Sequence, residues 1–494
     1  MRYTPSPVGP PSVGLAHAAL FNWVFARSRQ GVFVLRLEDT DTARVRPEYE
    51  QPQLEALRWL NLPWDEGPGT GGPHAPYRQS RRGDIYAEIL RRLREAGEVY
   101  PCYSTRQEAA ARRAAAGGDP RLGYDNHDRR LTQRQIQEFH AEGRRPVWRL
   151  RVPDRDAVVD DLVRGRVVFR AGTVPDPALT RSTGAPLYAL ANPVDDALMG
   201  ITHVLRGESL LPATPGHLAL HDALHRIGVS AHVPRFGHLP SVVGANRRRL
   251  GRSSPEAHVL RYRDEGCLPE AMVNHLARLG WSPPEGREVF TLAEMVAAFS
   301  LKRVSPAPAQ FDPARVRLLN AAHIRALSPG HFVTALRPHL ERSGLPSRGP
   351  AEHVLRTALP LVQPRTTVLR DAPRLLAFLL LGEDEFRSTE DPRAGLPTDE
   401  ARAGLRCAAA ALRPIDPWDM EGITRAMRGA VDRGRLAAVR VAVTGASVSL
   451  PLYESIHLLG RDRSLTRISR ALTLLEDAPA TGPAPADEAQ YPDG

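Results

Sequence analysis

The amino-acid sequence predicts an α/β protein, in which a parallel sheet is interrupted by an insertion and followed by an all-helical region. Three observations support this prediction. A turn rich in proline and glycine leads into a helical pattern and then a short apolar strand, which is the start of a β–α–β unit. Further strand-forming residues return after a long charged and loop-rich stretch. From about residue 323 onward, the hydrophobic residues recur at helical spacing.

The first element is a turn that leads into a helix over residues 13–27. Apolar residues recur at helical spacing, namely Val13, Ala16, Leu20, Trp23 and Val24. Ser12 stands where an N-cap is expected, and Gly9 and Gly14 would let a ligand approach the backbone closely. Because a helix N-terminus presents free N–H groups and a partial positive charge, the turn is a candidate phosphate site. An ordinary proline-rich turn with a serine cap explains the same residues.

The second element is a strand. Residues 32–37, VFVLRL, are nearly continuous in apolar side chains, which is typical of a buried parallel strand. The strand runs into Glu38, so this carboxylate is expected at the strand's carboxyl end, where sheets of this kind bind ligands.

The middle of the chain predicts an insertion and then the return of the sheet. From about 74 to 185, charged segments alternate with loops. The second half of the sheet holds residues 187–192, the pair Asp195 and Asp196, and residues 201–208. Together with the first strand, this predicts a Rossmann-type sheet in two halves.

Composition and charge limit the class of protein. The chain has 494 residues, 42% hydrophobic and 25% charged, which suits about two to four soluble domains. No apolar run approaches the roughly 18 residues that span a bilayer, and the N-terminus does not read as a signal peptide, so we expect a cytoplasmic protein. Cys102, Cys267 and Cys407 are few and far apart in the sequence, give no metal-ligand spacing and suit a reducing compartment.

The chain is strongly basic, with a net charge of +10 and a sequence pI of about 10.0. This charge favours a polyanionic partner such as nucleic acid. Lys302 is the single lysine, so nearly all the positive charge is arginine. A drift toward GC-rich codons would also replace lysine with arginine. The charge can therefore also be explained by a generally basic proteome, without a nucleic-acid partner.

Five parts of the chain point to one family. In order, they are RYTPSPVG with SVGLAHAALFNW and FVLRLEDTD at the start, YALANPVDDALMGITHVLRGES (188–209), RYRDEGCLPEAMVNHLARLGW (261–281), FDPARVRLLNAAHIR (311–325) and VRVAVTGASVSLPLYESIHLLGRDR (439–463). Together they resemble the glutamyl-tRNA synthetases, which are class I aminoacyl-tRNA synthetases.

The resemblance implies a division of the chain into functional regions. The implied regions are a Rossmann catalytic domain in two halves (1–73 and 186–240), an acceptor-stem-binding insertion (74–185), a stem-contact region (241–322), a helical anticodon-binding domain (323–478) and a disordered tail (479–494).

The resemblance also implies a glutamate pocket. Arg2 and Arg206 match the arginines that meet the carboxylates of the substrate, and Glu38 matches the carboxylate that holds its α-amino group. The hydrogen-bonding positions of the pocket match Ser6, Tyr188 and Asn192. This set is chemically sensible, because a zwitterion with an additional carboxylate needs cations, an anion and fixed donors.

The first ATP signature of the family departs from its usual form. It normally begins with histidine, as HVGG or HVGT, and here it is Ser12-Val13-Gly14-Leu15. A serine hydroxyl can donate a hydrogen bond to a phosphate but brings no charge. His17 is the nearest histidine, although helical geometry sets it more than one turn away. The resemblance implies Ser12 as a catalytic position and Gly9 and Gly14 as ATP-binding positions.

The second signature, normally KLSKR, falls on residues 249–253, RLGRS, within the basic loop NRRRLGRSS (246–254). The resemblance implies Arg249 and Arg252 as catalytic positions and Leu250 and Gly251 as ATP-binding positions. Arginine keeps the positive charge but is not equivalent to lysine at a tight phosphate site. A basic RNA-contacting loop without a catalytic role is the alternative.

Three hypotheses follow. The first is a glutamate–tRNA ligase that uses ATP and Mg²⁺, takes L-glutamate and tRNA-Glu, and acts as a monomer. The second is a catalytically weak or inactive paralogue that binds glutamate or glutamyl-tRNA, which the altered signatures would allow. The third, an unrelated nucleotidyl-transfer enzyme, does not fit the C-terminal match. No structural zinc is expected, because Cys102-Tyr103-Ser104 and Asp128 replace the cysteine cluster of some family members.

Overall fold

The computed structural model describes residues 1–117, 119, 123–251 and 254–477, which belong to two compact units, Met1–Asn320 and Ala321–Gly494. The implied catalytic residue Arg252 and the predicted disordered tail (479–494) lie outside the described residues. No helix within the described ranges is long and apolar enough to cross a membrane.

The first unit contains short strands that pair mainly in parallel. Its strands are β1 (Arg2–Tyr3), β2 (Val34–Leu35), β3 (Val99–Cys102), β4 (Val147–Leu150), β5 (Ala157–Asp161), β6 (Gly165–Phe169), β7 (His203–Gly207), β8 (Arg235–Leu239), β9 (Val242–Val243) and β10 (Ala309–Gln310). The pairs β1–β2, β7–β8 and β9–β10 are parallel, whereas β3–β4 and β5–β6 are antiparallel. The parallel pairs confirm the predicted class of sheet.

The first unit also contains eleven α-helices within its described residues. They are α1 (Val13–Ser28), α2 (Glu50–Trp59), α3 (Gly83–Glu95), α4 (Arg106–Ala115), α5 (Gln133–Ala141), α6 (Tyr188–Leu198), α7 (Thr214–Arg226), α8 (Val259–Asp264), α9 (Pro269–Arg278), α10 (Leu292–Ala298) and α11 (Pro313–Ala326), the last of which contains the division between the units. Helix α1 matches the predicted helix over 13–27.

Two predicted elements differ from the structure. The predicted strand over 32–37 is paired as a ladder only at Val34–Leu35, and Leu37 joins Arg78 through a single parallel bridge. The ladder is short because its partner, β1, runs into Pro5 and Pro7, which have no N–H to donate. Residues 188–192, assigned to the second half of the sheet, form the first turns of helix α6 instead.

Helix α1 lies in the core of the first unit and contacts β1, β7, α9 and α10. Its residues Leu20 and Phe21 are fully buried, and the ring of Phe21 meets that of Phe299 edge-on at 5.8 Å. At the other end of α1, the exposed Lys302 lines a cleft with Phe25 and Arg29.

The region between β3 and α5 contains the residues that replace a cysteine cluster. The carboxylate of Asp128 accepts hydrogen bonds from the backbone N–H groups of Tyr103 and Ser104 at 2.7 and 2.9 Å and from the Ser104 hydroxyl at 2.5 Å. Hydrogen bonds within the chain thus join the segment of Tyr103 and Ser104 to that of Asp128. Within the described residues, no group of three potential metal ligands is arranged around one point.

The described part of the second unit is helical, as predicted. After α11 its helices are α12 (Pro329–Arg342), α13 (Pro350–Val362), α14 (Ala372–Leu380), α15 (Thr398–Leu412), α16 (Met420–Ala430), α17 (Leu436–Thr444), α18 (Leu452–Leu459) and α19 (Arg461–Asp477). Helix α15 packs against α16, α17 and α19. The carboxylate of Glu383 receives Arg463 and Arg467 from α19 at 2.9 and 2.8 Å, which fixes that helix against the end of α14.

Candidate active site

The predicted phosphate site lies at the N-terminus of α1. Ser12 is the N-cap, as predicted, and its Oγ accepts a hydrogen bond from the backbone N–H of Leu15 at 3.4 Å. Gly14 is exposed in the first turn, with open space where a side chain would stand. The first turn of α1, which is described in full, has no acidic residue, so the positive end of the helix dipole is not neutralised from within the helix.

The turn before α1 is held in place from outside. Gly9 is buried, and its carbonyl accepts a hydrogen bond from the side chain of Gln53 in α2 at 3.0 Å. Ser6 is half-buried in the same turn, with its carbonyl accepting from the N–H of Val8 at 2.8 Å. The turn is therefore fixed before any ligand binds.

His17 cannot replace the histidine that is missing at position 12. It is 2% exposed, its ring contacts that of Phe21, and its Nε2 lies 2.7 Å from the carbonyl oxygen of Leu279. Burial lowers the pKa of His17 to about 4, so it is neutral near pH 7. Its hydrogen bond holds it in the core, away from the helix N-terminus.

The second signature lies on a hairpin that returns beside β9. The N–H of Leu250 donates to the carbonyl of Val242 at 3.1 Å, and Arg249 pairs with Val243 through an antiparallel bridge. The side chain of Arg249 is exposed, as is Gly251, and Leu250 is half-buried. The hairpin therefore presents arginine to solvent on a backbone that is paired at its base.

Arg206, at the carboxyl end of β7, is a buried cation without a counter-ion. It is 5% exposed, and no described carboxylate forms an ion pair with it. Its hydrogen bonds are from Nε to His238 Nε2 (3.1 Å), from Nη1 to Tyr188 Oη (3.2 Å) and His217 Nδ1 (3.1 Å), and from Nη2 to the Leu210 carbonyl (3.1 Å) and Thr214 Oγ1 (2.9 Å). A guanidinium has five N–H groups, so neutral acceptors position all of them, and no described carboxylate contacts its charge. Burial lowers the pKa of Arg206, but a guanidinium still stays protonated.

The two histidines around Arg206 act as acceptors. His238 Nδ1 lies 2.5 Å from Asp161 Oδ2, so this nitrogen carries the proton and Nε2 is left to accept from Arg206. Burial lowers the pKa of His238, and burial together with the charge of Arg206 lowers the pKa of His217 well below its usual value. Both rings are therefore neutral near pH 7, as an acceptor for a guanidinium must be.

Glu38 is the counterpart of Arg206 at the end of β2. Asn192 donates a hydrogen bond from Nδ2 to its carboxylate, and the Thr4 side chain also bonds to it. Burial raises the pKa of Glu38, against the opposing effects of these hydrogen bonds and of the charge of Arg36. Glu38 thus remains a partly buried acid whose direct partners are neutral.

A buried ion-pair network supports this side of the pocket. Asp196 accepts from Arg2 at 3.1 and 3.3 Å and from Arg36 at 2.8 Å. Although burial opposes ionisation, the charges of these two arginines hold the pKa of Asp196 well below its usual range. Arg36 also donates to the Asn192 side-chain oxygen at 2.8 Å, which leaves the Asn192 amide nitrogen to point at Glu38. Arg2, which was expected to contact the substrate, already donates hydrogen bonds from two of its nitrogens to Asp196.

Helix α6 connects the two ends of the pocket. Tyr188 contacts Arg206, and Asn192 contacts Glu38. Because residues four apart lie on one face of a helix, one face of α6 contacts both Arg206 and Glu38. The cation and the acid therefore stand on the same side of this helix.

Sequence reasoning missed the residues that position the pocket. Arg36 could have been found from the sequence, because a charged residue inside an apolar strand requires a buried partner of opposite charge. In the structure, Asp195 and Asp196 are these partners. His217 and His238 carried no such signal, because their role depends on contacts between segments far apart in the sequence.

Comparison with known families matches both parts of the chain. Residues 1–317 match the family described as "tRNA synthetases class I (E and Q), catalytic domain", and residues 331–472 match the "Anticodon binding domain". A buried arginine and a partly buried acid joined by one helix in a parallel-stranded unit are consistent with these matches. The fold and the site define a class I aminoacyl-tRNA synthetase.

Individual relatives narrow the family. The chain is 51% identical over 481 residues to the glutamate–tRNA ligase of Saccharopolyspora erythraea, covering 95% of both chains. It is 48% identical over 487 residues to that of Mycobacterium tuberculosis, covering 97% of this chain and 98% of the relative. A crystal structure of a glutamate tRNA ligase from Elizabethkingia meningosepticum, in complex with its amino acid, superposes with a TM-score of 0.79 at 27% identity, covering 96% of this chain and 99% of that one. The chain belongs to the glutamate–tRNA ligase family.

These findings confirm the resemblance inferred from the sequence segments. They favour the ligase over an inactive paralogue, for which they offer no support. The altered signatures are therefore a variation within an enzyme family.

Proposed function

We propose that the chain joins L-glutamate to the 3′ end of tRNA-Glu in two steps. The α-carboxylate of glutamate attacks the α-phosphate of ATP and pyrophosphate leaves, and the glutamyl group then passes from AMP to a ribose hydroxyl of the terminal adenosine. The observation that carries this proposal is the buried charge of Arg206, held with Glu38 on one face of α6, in a chain about 50% identical to glutamate–tRNA ligases.

In this proposal, Arg206 selects the side-chain carboxylate of glutamate. A buried cation with neutral partners is stabilised by an incoming anion, and neutral glutamine supplies none. Because the N–H groups of Arg206 already have acceptors, Tyr188 provides a hydrogen-bond donor for the substrate. Its oxygen accepts from Arg206, so its own O–H is available to a substrate carboxylate. Glu38, with neutral partners on its carboxylate, receives the α-ammonium group.

Arg2, Asn192 and Ser6 have secondary roles in the same pocket. Asn192 orients the carboxylate of Glu38 through its amide nitrogen. Arg2 is fixed by Asp196 and offers its remaining nitrogen and its charge to the substrate α-carboxylate. Ser6, in the turn before α1, takes the hydrogen-bonding role in the pocket that the resemblance implies.

The nucleotide is expected at the N-terminus of α1. The free N–H groups of the first turn and the helix dipole favour phosphate there, and Gly9, Gly14 and the hydroxyl of Ser12 allow close approach. The hairpin with Arg249, Leu250, Gly251 and Arg252 would close over the pyrophosphate end, with arginine in place of lysine as the cation. We expect Mg²⁺ to arrive with the phosphates of ATP, its usual ligands, because no described group of three ligands would hold it.

The remaining regions take the roles that the resemblance implies. Residues 1–73 and 186–240 form the catalytic domain, 74–185 bind the acceptor stem, 241–322 contact the stem, and 323–478 bind the anticodon. As in the family, we expect a cytoplasmic monomer.

The test is glutamate-dependent exchange of pyrophosphate into ATP, with and without tRNA-Glu. Exchange that depends on glutamate and is lost in Glu38→Ala supports the ligase. Protein that binds glutamate and tRNA but catalyses no exchange would instead be a paralogue that has lost ATP chemistry.

A further inference from the structure

Ser12 and His258 face each other across two segments that are far apart in the sequence. They form an antiparallel bridge, and the N–H of Val259 donates to the carbonyl of Pro11 at 3.1 Å. Because this bond joins the flanking residues, Ser12 and His258 are a non-hydrogen-bonded pair, whose Cα atoms lie about 4.5 Å apart. Both have extended backbone, with φ −102° and ψ 156° at Ser12 and φ −79° and ψ 110° at His258.

The side chain of His258 differs from its neighbours in exposure. Ala257, at the end of a short turn, and Val259, the first residue of α8, are fully buried. His258, between them, has extended backbone and is partly exposed. Directly opposed residues share a face, so its imidazole lies on the side of Ser12.

The side chain of Ser12 locates that shared face in the site. Its Oγ accepts from the N–H of Leu15 in the first turn of α1, so it stands at the helix N-terminus. The imidazole of His258 consequently stands beside the same N-terminus, where the phosphates of ATP are expected.

His258 also terminates the segment that carries the second signature. The N–H of Ser254 donates to the carbonyl of Gly251 at 3.1 Å, and the short turn Pro255–Ala257 leads directly to His258. The bridge between Ser12 and His258 thus joins the first signature to the second. An imidazole at this junction is next to both sets of phosphate contacts.

We propose that His258 supplies the imidazole that position 12 lacks and donates a hydrogen bond to the α-phosphate of ATP during glutamate activation. This inference rests on the proposed function. The histidine comes from the segment that pairs with Ser12, and Ser12 itself remains the N-cap of α1. His17, fixed to the Leu279 carbonyl, takes no part.

The chemical demand on His258 is modest. As the glutamate carboxylate attacks, negative charge builds on the non-bridging α-phosphate oxygens before pyrophosphate leaves. An imidazole N–H aimed at those oxygens stabilises this charge and needs neither a covalent bond nor a proton transfer. Loss of one such donor typically lowers the rate by about 10²- to 10³-fold.

The test compares His258→Ala with Ser12→His and with the double variant Ser12→His/His258→Ala. We expect His258→Ala to lower kcat for pyrophosphate exchange about 10²-fold, with a smaller change in the KM for ATP. The double variant should recover most of that loss, because a histidine returns to the same face from the other strand. His225→Ala, which removes an exposed histidine of α7, is the matched control and should exchange at the wild-type rate.

A binding readout separates contact from stability. With ¹⁵N-labelled histidine, addition of a non-hydrolysable ATP analogue should shift one imidazole signal that is absent from His258→Ala. The proposal is overturned if wild-type protein catalyses exchange while His258→Ala exchanges within about threefold of it and no such signal shifts. It is also overturned if Ser12→His has the same effect with and without His258. If the wild-type protein catalyses no exchange, the proposed function itself is wrong.

Discussion

Arg206→Met removes the charge on which selection of glutamate depends, while it keeps an unbranched side chain that replaces the aliphatic stem of the arginine. The carboxylate of a bound glutamate would then be buried without its cation, a change that costs about 3–5 kcal/mol. Because about 1.4 kcal/mol corresponds to a factor of ten, the Kd for glutamate should rise about 10²- to 10³-fold or more. Glutamine would lose only hydrogen bonds between the guanidinium and its neutral amide, worth about 1.5–3 kcal/mol, so the Kd for glutamine should rise less and the preference for glutamate should shrink.

The assay is isothermal titration with glutamate and glutamine, together with a thermal melt that shows the variant is folded. Arg166→Met, an exposed arginine on β6, is the matched control and should bind glutamate as the wild type does. A folded Arg206→Met protein whose glutamate Kd stays within about tenfold of the wild type would refute the reasoning. The side-chain carboxylate would then bind elsewhere.

Three other predictions concern stability. His17, His221 and His275 have pKa values of about 4, below their usual 6.5. Between pH 6.5 and about 4, these histidines bind protons in the unfolded chain but not in the folded chain. Each histidine should therefore lower the free energy of unfolding by about 1.4 kcal/mol per pH unit as the pH falls through this range. Urea titrations at several pH values measure this slope, which His17→Gln should reduce. Asp196→Asn leaves two arginines without their shared carboxylate and should cost about 3–5 kcal/mol in the same assay; an unchanged midpoint would contradict the network. Dialysis against a chelator should leave Tm unchanged, because Asp128 joins its segment through hydrogen bonds; a lower Tm restored by zinc would contradict this.

The elements that the sequence predicted well are those with local signals. Ser12 followed by apolar residues at helical spacing specifies a capped helix through contacts within a few residues, and α1 begins where expected. The apolar run after Gly31 likewise indicated a buried parallel strand. Its paired length was overestimated, because the strand beside it ends at prolines that lie in another part of the chain.

The geometry of the site depended on contacts that no local pattern contains. The orientation of Arg206 is set by Asp161, His217 and His238, which come from a hairpin of the insertion, a helix and a strand. The family resemblance named Arg206 but not these partners. The approach of His258 to Ser12 is likewise a pairing between distant segments, and only the structure places them together.

The scarcity of lysine has a practical consequence. Lys302 is the only lysine side chain in the sequence, it is exposed, and it lies beside Phe25 and Arg29 at the C-terminal end of α1. Helix α1 is 16 residues long and therefore spans about 24 Å, with Ser12 at its opposite end. With the N-terminal amine of Met1 blocked, an amine-reactive fluorophore would thus mark one side chain at a known separation from the nucleotide site. Energy transfer to a labelled ATP analogue could then follow substrate binding in the unmutated enzyme.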